Sequence, residues 1–98
     1  MNKIKGITEN QLNIIYDIIK DYKNFDFYIY GSRVNGNFST NSDLDIIAKN
    51  SNEIPYDILE ELKLKFDQSD LPFIVHISDF HKLDLCFLNL IENSMVKL

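Results

Sequence analysis

YGSRVNGNFSTNSDLDI, residues Tyr30 to Ile46, is the stretch on which the reading of this 98-residue chain turns. It follows an aromatic and β-branched run, Phe25 to Tyr30, that reads as a buried strand ending at Gly31. Glycine at a strand end lets another group approach the backbone where a Cβ would intrude. Ser32 offers a hydroxyl and a backbone N–H, and one helical turn starting there directs N–H groups at an anion. After the polar loop to Ser42, Asp43 to Ala48 reads as a second strand. Residues i and i+2 of a strand share a face, so Asp43 and Asp45 project together while Leu44 and Ile46 turn to the core. Two carboxylates that close repel one another unless a cation lies between them, and oxygen donors at this spacing suit Mg²⁺. Taken singly, each half has a plainer reading. Gly-Ser is an ordinary turn, and Asp-x-Asp is a solvated strand edge.

Outward from this stretch the chain reads as one small α/β domain. Thr8 and Gln11 form a capping box, and Ile15, Ile18, Ile19 and Tyr22 recur at helical spacing, which predicts a first helix to about Lys23. Ser51 to Pro55 is a turn leading to a helix carrying Ile58, Leu59, Leu62 and Phe66. Leu71 to Ser78 is a predicted third strand, and Asp84 caps a last helix through Leu85, Phe87, Leu88 and Ile91. The order αββαβα predicts a small mixed sheet with helices packed against it, in a single domain spanning residues 1–98. Cys86, the only cysteine, lies in an apolar run and reads as a core residue. With one cysteine there is no disulfide framework and no thiolate zinc site.

Charge narrows the function classes. The net charge is −5 and Arg33 is the only arginine. Tracking a nucleic-acid backbone needs a basic face, so long nucleic acid is a poor partner. A small phosphate ligand accompanied by divalent cations remains open, because the metal supplies the positive charge. No apolar window is long enough for a membrane span, and the N-terminal segment is polar where a signal peptide is apolar. The expected location is cytoplasmic.

Gly-Ser, ten residues, then Asp-x-Asp resembles the signature of the polymerase-beta nucleotidyltransferase superfamily, and the short chain resembles its minimal nucleotidyltransferases. SDLPFIVHISDF (Ser69 to Phe80) is similar to the family's third strand, so the resemblance covers most of the chain. It implies transfer of a nucleoside monophosphate from a triphosphate, ATP in the leading reading. Gly31, Ser32, Arg33 and Ser42 would then lie at the triphosphate, and Asp43 and Asp45 would hold two Mg²⁺ (or Mn²⁺) ions. Asn35 and Asn37 are polar loop groups that shape the turn. The family's third acidic position falls on His76. Imidazole is a poor Mg²⁺ ligand, suits Mn²⁺ better, and can take a proton from an acceptor hydroxyl. Asp79 has the wrong strand parity to substitute, and Asp70 is six residues away.

Minimal nucleotidyltransferases of this kind are commonly antitoxins paired with HEPN toxins, some of which they silence by adenylylation. The resemblance therefore implies a partner protein as acceptor. LDLCFLNLIENSMVKL, from Leu83 onward, is apolar on more than one face, which suits a helix shared between the core and such a partner. Two rivals stay open at this point. One is a nucleotide-binding antitoxin that acts by contact alone, which His76 favours. The other is a small-molecule transferase of the aminoglycoside-modifying kind, for which an acidic surface suits a cationic substrate.

Overall fold

The computed structural model describes residues 6–36, 38, 39 and 42–98. Helix α1 spans Glu9–Ile19, β1 Asp26–Tyr30, α2 Ser32–Asn35, β2 Leu44–Lys49, α3 Tyr56–Asp67 and β3 Val75–Asp79. A 3-10 turn at Phe80–Lys82, helix α4 at Leu85–Ile91 and a two-residue strand β4 at Val96–Lys97 complete the chain. The sheet order is β3-β2-β1-β4, with β1 antiparallel to both β2 and β4, and β2 parallel to β3. It is the small mixed α/β architecture that the sequence predicts.

Each element follows from its residues. The Thr8 side chain accepts from Gln11 N–H while the Gln11 side chain accepts from Thr8 N–H, so both ends of the capping box are present. The helix stops at Ile19, short of the predicted Lys23. Tyr22 nevertheless packs on the core, because the chain continues as turns in which Tyr22 N–H donates to Ile19 and Phe25 N–H to Tyr22. Strand β3 starts at Val75, not Leu71. Pro72 lacks an N–H for the ladder and disfavours regular structure around it, although Leu71 and Phe73 still pack on the core.

The two sheet faces differ in what they bury. Phe27, Ile29, Leu44, Ile46, Ala48, Val75 and Ile77 form one face and join Ile15, Leu59, Leu62 and Phe66 of α1 and α3 in the main core. Burying that many large apolar side chains, at about 1.5–3 kcal/mol each, is what holds helices and sheet together. Asp79 lies on this face and is only 3% exposed. Its carboxylate accepts from Ile54 N–H at 2.8 Å and His81 N–H at 3.0 Å, so it ties the turn before α3 to the end of β3. Directly paired residues share a face, which puts Tyr28, Tyr30, Asp45, Ile47, His76 and Ser78 together on the other side.

Helix α4 lies on that second face, where Phe87 meets the Tyr30 ring edge-on at 5.6 Å. Asp84 caps α4 by accepting from Cys86 N–H, as its position predicts. The same cap sets the helix phase so that Phe87, Leu88 and Ile91 are half-buried while Leu85, Cys86 and Leu90 face out. Cys86 is thus exposed, not a core residue. Strand β4 was not legible, because two residues cannot display alternation; it is held by pairing with Tyr28 and Ile29 and by Leu98 N–H donating to Phe27. Among the described residues no helix is long and apolar enough to cross a membrane.

Candidate functional site

The Gly-Ser turn and the two aspartates meet where β1 ends and β2 begins. Asp45 pairs with Tyr30 on one side and with His76 on the other. Gly31 has φ 95° and ψ −161°, a region that only glycine occupies without strain. A Cβ there would stand 2.8 Å from Asp45 Oδ2. The carboxylate therefore lies in the hollow that the missing side chain leaves. Ser32 starts α2, where Val34 N–H closes on Gly31 C=O and Gly36 N–H on Ser32 C=O. Gly36, at φ 92°, ends the turn in the left-handed region.

Asp43 sits just before β2 with its carboxylate largely in solvent, and Oδ2 is 2.7 Å from His76 Nε2. Its second oxygen remains for another partner. Burial holds the Asp45 carboxyl above the ordinary carboxylate range, His76 draws it down, and the like charge of Asp43 pushes it up again. Tyr30 is likewise raised, by burial first and by Asp45 second. The contact between His76 and Asp43 was the element that sequence reasoning missed. Its signal was the resemblance, which put His76 at the family's third acidic position; the β2–β3 register then sets it beside Asp45.

Arg33 does something other than the resemblance implies. It is 4% exposed, and its guanidinium donates to Gly6 C=O at 2.6 Å, Ser42 C=O at 3.0 Å and Ser39 C=O at 3.5 Å. It also stacks over the Phe73 ring at 4.0 Å. Burial lowers its pKa, and Asp43 partly offsets that. Arg33 is a clamp inside the loop, not a group aimed at outer phosphates. Ser42 is part of the same knot: its Oγ accepts from Ser39 N–H at 2.9 Å while its carbonyl takes Arg33. Asn37 and the side chain of Asn35 lie outside the described residues.

The donor set fits one hard cation better than two. Asp43 and Asp45 supply carboxylates on one face, which is enough for Mg²⁺ when phosphate and water complete the shell. Position 76, in register with Asp45, carries an imidazole and not a carboxylate. Among the described residues no group of three or more His, Cys, Asp or Glu side chains is arranged to hold a metal.

No protein-family profile matches the sequence, and no curated protein matches it. Solved structures do match. A toxin–antitoxin crystallised with AMP-PNP has a TM-score of 0.72 at 21% identity over 87% of this chain and 69% of its own. The toxin–antitoxin MntA-HpeT, in a variant with two aspartates two positions apart changed to glutamate, has a TM-score of 0.72 at 17% identity, over 99% of this chain and 72% of its own. A second MntA-HpeT variant, with a tyrosine changed to alanine, has a TM-score of 0.71 at 20% identity, over 89% of this chain and 70% of its own. This chain shares its fold with a chain of the MntA-HpeT toxin–antitoxin. At these identities the likeness is one of fold.

Proposed function

We propose that this protein is a divalent-metal-dependent nucleotidyltransferase that moves AMP from ATP to a partner protein, acting as a cytoplasmic antitoxin toward a HEPN-like toxin. The observation that carries the reading is the seating of the Asp45 carboxylate over Gly31, beside Ser32 and Asp43. A phosphate-binding turn and a carboxylate pair, separated in sequence, meet there at one place. The AMP-PNP in a toxin–antitoxin of the same fold supports the choice of nucleotide.

In this reading Gly31 makes room for the Asp45 carboxylate at the turn, Ser32 donates to the triphosphate, and Ser42 fixes the far end of the loop. Asp43 and Asp45 hold Mg²⁺ or Mn²⁺, which when bound offsets charge on the phosphates. The acceptor hydroxyl oxygen forms a bond to the α-phosphorus, and the bond from that phosphorus to pyrophosphate breaks. With His76 Nε2–H donating to Asp43, Nδ1 is left to take the proton from the hydroxyl. Arg33 keeps the loop closed.

A second reading is favoured by the same histidine. In that reading a site with two carboxylates and an imidazole binds nucleotide without completing transfer, and the protein neutralises its partner by contact. Labelled ATP, Mg²⁺ or Mn²⁺, and the purified product of the adjacent reading frame separate the two. Label on that protein, lost with Asp43→Ala or Asp45→Ala, supports transfer. A tight complex without label, unaffected by either substitution, leaves the binding reading.

A further inference from the structure

Strand β3 is an outer strand of the sheet, paired only with β2. Leu44 N–H donates to Ile74 C=O, and this bond sets the phase of the parallel ladder. In such a ladder alternate residues direct both backbone groups to the same side. Ile74, His76 and Ser78 therefore face β2, while the N–H and C=O of Val75 and Ile77 point out of the open edge. A groove of about 370 Å³ runs along that edge, with Lys63 and Asp67 of α3 as its far wall. Ile74, which is 61% exposed, also lines a second hollow of about 380 Å³ that has Asp43 in its wall. Val75–Asp79 contains no proline, no lysine and no positive-φ residue that would block a further strand.

We infer that the open edge of β3 is where the acceptor protein docks, as an extended segment added to the sheet beside His76. The inference rests on the transfer reading and deepens it by stating how the acceptor is held. Outward N–H and C=O groups at every second residue match the spacing of an extended backbone. A strand added there lies ~4.8 Å from β3. Its residue beside His76 turns its side chain to the face that carries His76 and Asp45. That places a serine, threonine or tyrosine hydroxyl against the 56%-exposed imidazole. The groove is lined by His76, which pairs with Asp45, and it shares Ile74 with the hollow at Asp43. This adjacency to the site is what selects an acceptor segment over a second copy of this chain, which needs no connection to the site.

Residue-resolved amide exchange tests this with the purified product of the adjacent reading frame as probe. In the free protein Val75 and Ile77 amides exchange fast and those of His76 and Ser78 slowly. Adding the probe is expected to slow Val75 and Ile77 by about tenfold or more while His76 and Ser78 barely change. Unchanged exchange at Val75 and Ile77 overturns the inference, whatever the labelled-ATP assay gives. Protection that grows with protein concentration in the absence of the probe also overturns it, since a second copy is then the occupant. Protection without transfer leaves strand docking standing and removes the transfer reading; transfer without protection does the reverse.

Discussion

Replacing Gly31 by alanine probes the geometry on which the site depends. Two effects combine. The backbone at φ 95° and ψ −161° costs a non-glycine residue about 1–3 kcal/mol. The new Cβ stands 2.8 Å from Asp45 Oδ2, well inside ordinary contact, and such overpacking costs about another 1–3 kcal/mol. Gly31→Ala is thus expected to lower stability by about 4 kcal/mol, a large share of the ~5–15 kcal/mol typical of a small domain. A double-mutant cycle separates the effects. Asp45→Ala removes the carboxylate but leaves the backbone strain, so Gly31→Ala in that background recovers the overpacking part, about 1–3 kcal/mol of coupling. Gly36→Ala is the control: φ is 92° but nothing lies within 4 Å, so only about 1–2 kcal/mol is lost. Urea unfolding of the five proteins measures all of this. Additivity of Gly31→Ala and Asp45→Ala within 0.5 kcal/mol would refute the placement of the carboxylate over Gly31.

Three further perturbations follow from the site. Arg33→Lys keeps the charge but loses the fork to Gly6 and Ser42 and the stacking on Phe73; about 2 kcal/mol of stability is expected to go, read as a lower urea midpoint, and a silent substitution would contradict the clamp. Asp45 has a carboxyl raised above its ordinary value, so the folded state takes up a proton before the unfolded chain does. The associated stability is present below the unfolded value and is lost as pH rises through the folded one. Asp45→Asn is therefore expected to raise the urea midpoint at pH 7, with the gain shrinking as pH falls below the carboxylate range; a lower midpoint at pH 7 would reverse the sign. His76→Asp restores a third carboxylate, and calorimetric titration should show Mg²⁺ gaining on Mn²⁺ relative to the parent protein. An unchanged preference would place position 76 outside the metal's reach.

How much of this was legible in the sequence depended on how local the cause was. Thr8 and Gln11, or Asp84, act within one turn of chain, and their caps stand where the sequence puts them. Strand parity puts Asp43 and Asp45 on one face, and the family resemblance puts His76 beside them, since the register that pairs it with Asp45 belongs to the folded sheet. The place of Arg33 was not legible, because its carbonyl partners at Gly6 and Ser42 converge only in the folded chain. An arginine in a polar loop looks the same in sequence whether it turns out to a phosphate or in to carbonyls. Cys86 failed for a related reason: its apolar neighbours belong to a helix that covers only part of a sheet face, so half of them stay in water.

The parallel pairing of β2 and β3 also dictates an order of assembly. Tyr30 and Asp45 lie fifteen positions apart across an antiparallel hairpin, whereas Asp45 and His76 are thirty-one apart with α3 between them. Doubling the loop adds only about 0.6 kcal/mol of closure entropy, yet non-local parallel pairing is the slow step in forming a sheet. Refolding is thus expected to seat Asp45 with the hairpin first, and to bring the imidazole and its contact with Asp43 with the crossover. A chain whose crossover has not closed carries the carboxylates without their histidine, so completion of the site coincides with completion of the fold.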